Sequence, residues 1–236
     1  MQRLSSIALL LALPCPALAA AWGNPVANPA AARVSVAAEA GADQVAMGAE
    51  GCAGEACTAI WRPLTVGGRV EVAILRGVGL AGGGAWLGDR LVEAGYEGAG
   101  FEAWGGLDLA LPVQPALFLA LSSRLTKGRS GAPDGGGAWT GLALAGLLAW
   151  APDDHSFALY GGLSAAPWQA RALELSSPDL SLSLAPRLPV GGVLGAELRS
   201  DPLGLPWAGS RTAVAFGVEA RAESGLGGGL WLAVEF

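Results

Sequence analysis

The last eleven residues of the chain carry the pattern that decides its fold class. They are Leu226-Gly227-Gly228-Gly229-Leu230-Trp231-Leu232-Ala233-Val234-Glu235-Phe236. One face carries Leu226, Gly228, Leu230, Leu232, Val234 and Phe236, and the other carries Gly227, Gly229, Trp231, Ala233 and Glu235. Because successive residues of a β-strand point to opposite faces, this alternation predicts a strand with one apolar face.

The same period of two recurs upstream in segments of about ten residues, back to Val34. A helix is the competing assignment for the Ala- and Leu-rich segments, but their period is two rather than about 3.6, and Gly and Pro recur too often. Counting gives about eleven segments, with glycines blurring the alternation over residues 77–98. Since a closed bacterial barrel has an even number of strands, we expect ten, within a range of about eight to twelve.

Turn-forming residues separate these segments. We predict short turns at residues 112–115, 152–154 and 223–225, and longer connections at 43–63, 126–138, 167–179 and 201–210.

The first residues have the layout of a secretory signal peptide: Arg3, an apolar run over Ile7–Leu13, and small residues in Ala17-Leu18-Ala19. The apolar run is too short to span a bilayer. One alternative is a frayed N-terminal helix of a cytosolic protein. Another is a lipoprotein attached at Cys15, although Pro14 is not the small residue that should precede such a cysteine.

Cleavage after residue 19 leaves a short N-terminal segment, residues 20–32, and one β-barrel domain, residues 33–236. The mature chain then has 13 basic and 20 acidic residues, and Lys127 is its only lysine. Binding to nucleic acid needs many Lys and Arg contacts with phosphates, so we expect no nucleic-acid partner.

The two faces of the strands distinguish a membrane barrel from a soluble sandwich. A sandwich needs abundant charge on its outer face, whereas the face opposite the apolar one here is mostly Gly, Ala and Ser with isolated charges. Small side chains and a few opposite charges suit a narrow lumen, and only closure satisfies every backbone group in lipid. We therefore predict a closed antiparallel up-and-down transmembrane β-barrel.

Nine charged side chains are expected to face the interior of this barrel: Arg69, Glu71, Glu102, Asp108, Arg124, Glu197, Arg199, Glu219 and Arg221. We expect Glu102 and Asp108 to pair with arginines on neighbouring strands, drawn from Arg69, Arg124, Arg199 and Arg221. A charge-lined pore constriction is the alternative. Trp104 and Trp231 also point inward on this assignment, and we expect them to plug the lumen.

Two cysteines of the mature chain, Cys52 and Cys57, lie five residues apart. In an exported protein such a pair favours a local disulfide. Free or metal-bound thiols are the alternative, although the only histidine, His155, is about a hundred residues away.

A cleavable leader, alternating strands and a final strand that ends in an aromatic residue together resemble the small bacterial outer-membrane β-barrel proteins. The residues that carry the resemblance are Leu230-Trp231-Leu232-Ala233-Val234-Glu235-Phe236. They match the terminal signature that the barrel-assembly machinery reads in that class, with Phe236 as the C-terminal assembly signal. The resemblance covers roughly residues 33–236 as a pattern, matches no named subfamily and transfers no functional residue. It implies insertion into outer-membrane lipid with both chain ends in the periplasm.

No catalytic motif stands out. His155 and Ser156 are adjacent, and neighbouring residues on a strand face opposite ways, so they are poorly placed to act as base and nucleophile. The glycine-rich stretches 77–84 and 135–137 lack the Lys-Ser/Thr ending of phosphate-binding loops. We expect a barrel without enzymatic activity, cofactor or metal, either structural or adhesive, or a narrow porin-like passive pore. The alternatives are a secreted soluble β-barrel that binds an apolar ligand in a calyx and an outer-membrane enzyme that modifies lipid.

Overall fold

A computed structural model describes residues 22–23, 34–50, 57–91, 96–133, 135–152, 156–175, 181–186, 190–200, 203–205, 209–222 and 225–236. No helix in this described part of the chain has the length and apolar character needed to cross a membrane. The described residues form fourteen strands. These are β1 Val34–Asp43, β2 Val45–Glu50, β3 Cys57–Trp61, β4 Leu64–Leu75, β5 Val78–Leu91, β6 Tyr96–Gln114, β7 Leu117–Ala132, β8 Gly135–Trp150, β9 Phe157–Leu175, β10 Ser181–Pro186, β11 Val190–Arg199, β12 Leu203–Leu205, β13 Gly209–Ala222 and β14 Leu226–Glu235.

Ten of these strands close into an antiparallel up-and-down β-barrel, which confirms the predicted fold class and strand number. The ring runs β4-β1-β14-β13-β11-β9-β8-β7-β6-β5 and closes by pairing of β5 with β4. The predicted terminal strand is part of this closure, because β14 pairs with β1 on one side and β13 on the other. Closure leaves none of the ten strands with a free edge. The backbone N–H and C=O groups of each strand can therefore pair with the two neighbouring strands, whatever the solvent.

Both ends of the described barrel chain lie at one end of the cylinder, which we call the terminal end. There the backbone N–H of Phe236 donates to the carbonyl of Val34 at 2.9 Å. At the opposite end, which we call the far end, the wall is extended by short strands: β2 pairs with β3 and β10, and β10 pairs with β9.

The structure corrects several predicted connections. Residues 126–138 are not a long loop, because β7 continues to Ala132 and β8 begins at Gly135. Residues 43–63 contain β2 and β3, and β9 continues to Leu175 within the stretch 167–179. The stretch 201–210 likewise contains β12 and the first residues of β13. The turns predicted at 112–115, 152–154 and 223–225 do fall between barrel strands or at their ends. The wrong assignments share a cause. The strands extend beyond the part of the wall that is apolar on the outside, and there they contain polar residues and glycines, which usually mark loops.

Burial in this barrel is the reverse of that in a water-soluble globule. Leucines and valines are exposed on the outside, such as Leu194 and Leu163 at 65% each, while Glu102 inside is 0% exposed. Exposed and buried residues alternate along the strands, as in β1, whose outward Val34 and Val36 flank the inward Ser35. The interior wall between the charged groups is largely alanine, including Ala120, Ala149 and Ala215 at 0% exposure.

Four inward aromatic side chains each lie against a glycine on the neighbouring strand. The cross-strand pairs are Trp231 with Gly217, Tyr160 with Gly195, Trp139 with Gly128, and Trp104 with Gly83. A Cβ built on any of these glycines would overlap the partner's ring. The rings therefore rest on the barrel wall, and Trp104 and Trp231 do not plug the axis of the lumen as we expected.

Replacing Gly217 with alanine should destabilise the barrel, because the new methyl group would force the ring of Trp231 off the wall. We expect the free energy of unfolding to fall by about 1–3 kcal/mol, the usual cost of overpacking. The matched control is Gly105→Ala, where the nearest atom to the added Cβ is the Ala81 carbonyl at 3.9 Å. Denaturant unfolding followed by tryptophan fluorescence measures both variants, and equal effects would contradict the packing role of Gly217.

Candidate functional site: the barrel lumen

The lumen contains most of the charge that the chain buries. Seven of the nine charges expected inside are buried, namely Arg69, Glu71, Glu102, Arg124, Glu197, Glu219 and Arg221, while Asp108 and Arg199 are half-buried. The inward face also carries Glu39, Asp43 and Glu235, which the sequence-based set did not include. All three lie on the two strands that join the barrel's ends, β1 and β14, and each follows the period of two.

At the terminal end of the lumen, the ion pairs converge on Arg199. Its Nη2 atom lies 2.7 Å from Glu235 Oε1 and 3.4 Å from Glu197 Oε1. The indole Nε1 of Trp231 donates to Glu197 Oε2 at 3.3 Å. These contacts link β11 to β14, the last strand of the barrel.

Two further arginines form ion pairs, one in the middle of the lumen and one closer to its far end. Arg69 Nε is 2.8 Å from Glu71 Oε1, and Arg69 Nη1 is 3.7 Å from Glu39 Oε2. Arg221 contacts Asp43 at 3.1 Å and Glu219 at 3.7 Å. Because one partner without the other would leave an uncompensated buried charge, these pairs are mutually dependent.

Glu102 and Asp108 were expected to pair with arginines on neighbouring strands. The structure shows Glu102 accepting a hydrogen bond from the indole Nε1 of Trp139 at 2.9 Å. Asp108 lies directly across from Ser122 on β7. Near the far end, Trp139 also packs edge-to-face with the buried Trp61, with ring centroids 6.2 Å apart.

The unexpected occupant of the lumen is Trp22-Gly23, from the segment that precedes the barrel. Both backbone N–H groups donate to the carboxylate of Glu219, at 3.0 Å from Trp22 and 3.2 Å from Gly23. Arg124 Nη2 donates to the carbonyl of Trp22 at 2.7 Å. The guanidinium of Arg124 also lies between two indoles, 4.5 Å from the ring centroid of Trp22 and 4.3 Å from that of Trp104.

These contacts place Trp22-Gly23 on the barrel axis. Arg124 comes from β7 and Glu219 from β13, while the Arg69 guanidinium on β4 lies against the Cα of Gly23. In the order of the ring, β4, β13 and β7 are separated by at least two other strands on every side. A residue pair held from three such directions must lie near the centre, and Trp22 is accordingly buried.

Acidic groups outnumber basic groups in the described lumen. The inward charges are the carboxylates Glu39, Asp43, Glu71, Glu102, Asp108, Glu197, Glu219 and Glu235 and the guanidinium groups of Arg69, Arg124, Arg199 and Arg221. Eight acids against four bases leave a formal charge of −4 among them.

Other candidate groups from the sequence lie elsewhere. Cys57 begins β3, Cys52 lies outside the described residues, and no disulfide is formed among the residues described, so the pairing stays a prediction. His155 is also outside the described residues, and Ser156 is exposed at the terminal end. Phe236 is exposed next to Val34. No cluster of three or more His, Cys, Asp or Glu suited to a metal ion occurs in the described part of the chain.

A cleft of about 530 Å³ opens at the terminal end, between the turns Arg76-Gly77 and Pro115-Ala116. Its lining includes Ala110, Gln114 and Phe118, with Arg76 as the charged residue. No carboxylate, thiol, hydroxyl or imidazole side chain lines it, so this cleft offers no catalytic or metal-binding group.

Comparison with known proteins adds no family. No protein-family model matches this chain, and no curated protein shows detectable sequence similarity to it.

Loss of the Glu219 carboxylate should destabilise the folded barrel strongly. The Glu219→Ala change removes the acceptor for Trp22, Gly23 and the Tyr160 hydroxyl, and removes a charge beside Arg221. We expect the free energy of unfolding to fall by about 3 kcal/mol or more. The matched change Glu97→Ala breaks the exposed Arg90–Glu97 pair and should cost less than about 1 kcal/mol. Chemical denaturation of the two variants measures the difference, and similar costs would refute a structural role for Glu219 in the lumen.

Proposed function

We propose that this chain is a bacterial outer-membrane β-barrel protein without enzymatic activity, exported by a signal peptide and closed in its resting state. The observation that carries the proposal is the apolar belt, which we define as the large apolar side chains exposed on the outside of the barrel. Thirty-one such side chains occur among the described residues, and every one of the ten barrel strands contributes to them.

The area of the apolar belt argues against water as its solvent. Soluble monomers rarely expose a contiguous apolar patch larger than a few hundred Å². Here the belt encircles the molecule, while ionised groups occupy the enclosed centre. Hydrocarbon lipid outside and a polar lumen inside are the environment in which this distribution is favourable.

Aromatic side chains lie toward both ends of the apolar belt. Trp86 and Phe101 face each other across β5 and β6 toward the far end. Trp150 and Phe157 pack edge-to-face at 6.3 Å at the terminal end, where Phe236 also lies. Aromatic girdles at the two lipid–water interfaces are typical of membrane barrels.

Outward charges begin where the apolar belt ends. Beyond Trp86 and Phe101 on the same two strands, Arg90 and Glu97 form an exposed ion pair at 3.0 Å. On β7 the outward series changes from Leu121 and Leu125 to the exposed Lys127 and Arg129. A change from aliphatic to charged side chains along one outward face is what a lipid–water boundary requires.

The occupied axis favours a structural or adhesive barrel over an open pore. Trp22-Gly23 fills the centre of the lumen, where Arg124, Glu219 and Arg69 contact it from three sides of the wall. In planar bilayers, purified wild-type protein should therefore give no steady conductance. A stable open channel in those recordings would contradict the closed resting state and favour the passive-pore version of this function.

Cell fractionation combined with heat-modifiable gel mobility tests the proposed location. We expect the mature protein in the outer-membrane fraction, and a shift in mobility between unheated and boiled samples, because closed barrels resist unfolding by detergent. Mature protein that stays in solution without detergent would instead support the secreted barrel with an apolar ligand.

A pair of arginine substitutions tests whether the apolar belt contacts lipid. Leu194 lies in the middle of β11, whereas Leu226 begins β14 at the far end, and both are highly exposed. In a bilayer, Leu194→Arg should cost about 2–4 kcal/mol and Leu226→Arg about 0–1 kcal/mol. The measurement is the free energy of unfolding in lipid vesicles. If the belt faced water, both surface changes would fall within about 0.5 kcal/mol of wild type.

A further inference from the structure

Two exposed cations lie on the outer face of β7, at the border of the apolar belt. Lys127 and Arg129 follow Leu121 and Leu125 along that face, and all four side chains are exposed. Because alternate residues of a strand share a face, the Cα atoms of the two cationic residues lie about 7 Å apart. We call Lys127 and Arg129 the basic patch, and this spacing lets both contact one ligand.

The basic patch has no partner within the part of the chain that the structure describes. Neither Lys127 nor Arg129 forms an ion pair or a hydrogen bond with a described residue. The outward Arg90 on β5 differs in this respect, because it pairs with Glu97 at 3.0 Å. The two charges of the basic patch are therefore available to an external anion.

The residues beside the basic patch add no negative charge. Those directly across from it on the two neighbouring strands are all uncharged: Ala103 and Thr140 flank Lys127, and Phe101 and Ala138 flank Arg129. Three of these four have small side chains, which leaves the two long cationic side chains room to reach a bulky group. The surroundings thus combine uncompensated positive charge with open space.

The basic patch is continuous with apolar surface on the side toward the terminal end. There Leu125 on β7 lies directly across from Leu142 on β8, and Leu121 follows on the same outer face of β7. A ligand that fits both regions has an anionic group at one end and hydrocarbon at the other. That description fits an anionic lipid better than a small aqueous anion, which would leave the leucines uncovered.

We propose that Lys127 and Arg129 bind the headgroup of an anionic, phosphate-bearing lipid whose acyl chains lie along the apolar belt. The proposal rests on the membrane location that is part of the proposed function. A guanidinium can donate two parallel hydrogen bonds to a phosphate, and an ammonium adds a compact charge beside it. The hydroxyl of Thr140, across from Lys127, offers a further donor.

The lipid belongs to the leaflet at the far end of the barrel. Strand β7 begins at Leu117, next to the terminal-end turn Pro115-Ala116, and runs to Ala132 at the far end. The resemblance to outer-membrane barrels implies that both chain ends lie in the periplasm. In that orientation the far end faces outward, and the basic patch takes its lipid from the outer leaflet.

The net charge of the chain makes a preference for anionic lipid informative. The whole chain carries a formal charge of −6, so it has no general attraction for anionic headgroups. Such a preference must come from a local group of cations. A Lys or Arg near a membrane surface contributes roughly a fivefold gain in affinity for anionic lipid, so the two together contribute at least about tenfold.

Native mass spectrometry of the folded protein in a neutral detergent tests the proposal. The probes are dioleoyl phosphatidic acid and dioleoyl phosphatidylcholine, which share their acyl chains and differ in headgroup charge. We expect wild type to bind the phosphatidic acid at least about tenfold more tightly. A short-chain, water-soluble phosphatidic acid should bind at least about tenfold more weakly than the dioleoyl form, because it covers little of the apolar belt.

The variant Lys127→Gln/Arg129→Gln removes both charges and should reduce the preference to within about twofold, whereas each single substitution should reduce it by roughly fivefold. The matched control Arg62→Gln/Arg76→Gln removes two charges from other exposed positions and should keep the full preference. Arg62 lies between β3 and β4, and Arg76 lies in the turn after β4 at the terminal end. Heat-modifiable gel mobility confirms that each variant is folded.

Equal affinity of wild type for the two dioleoyl lipids would overturn the proposal. So would a preference that survives loss of the basic patch, or one that falls equally in the control. Equally tight binding of the short-chain form would show an anion site rather than a lipid site. Each of these results, in protein that fractionates with the outer membrane, rejects the lipid site and leaves the proposed function intact. Protein that stays in solution without detergent rejects both.

Discussion

The structure depends on the burial of ionised side chains inside a closed wall of hydrogen-bonded strands. An isolated charge is costly to remove from water, and a buried pair is favourable only with good geometry and further hydrogen bonds. Here Arg69, Arg199 and Arg221 each contact two carboxylates. The indole of Trp231 also donates to one of these, Glu197, and the indole of Trp139 donates to a further carboxylate, Glu102. With these charges paired inside, the aliphatic residues of every strand are left outside, and the rest of the architecture follows from that division.

Glycine has a specific role in this division. Bulky rings and charged side chains compete for the same narrow lumen, and the glycines opposite Trp104, Trp139, Tyr160 and Trp231 let those rings lie flat against the wall. The axis is thereby left to the arginines, the carboxylates and Trp22-Gly23. These glycines are thus a packing requirement of the barrel interior.

The sequence predicted those parts of the fold that the alternation of apolar and polar residues reveals. Strand β14 was clear from its alternation. The same pattern gave about eleven segments, and the rule that closed barrels have an even number of strands led to the correct number, ten. Residues 126–138 were misassigned because Lys127, Arg129 and three consecutive glycines look like a loop, whereas the strands continue beyond the apolar belt with charged residues outside and small ones inside. Local composition cannot distinguish a loop from a strand that continues past the apolar belt.

The candidate site was less accessible to sequence reasoning. The alternation indicated which charges lie inside, but partners such as Trp139 for Glu102 depend on register and side-chain reach. Trp22 lies in a segment without periodicity, and its docking depends on Arg124 and Glu219, which are about one hundred and two hundred residues away. The one hint was an indole next to the expected cleavage site, followed by a glycine.

The lipid contact of the apolar belt is the central claim, and nitroxide accessibility along β14 tests it most directly. In a chain whose own cysteines are replaced by serine, single labels at Leu230, Leu232 and Ala233 sample both faces of the strand. Oxygen, which concentrates in hydrocarbon, should relax the labels at Leu230 and Leu232 far more than a water-soluble nickel chelate does, and the label at Ala233 should lack this preference. Stronger relaxation by the nickel chelate at both leucines would show that the belt faces water and would contradict the account.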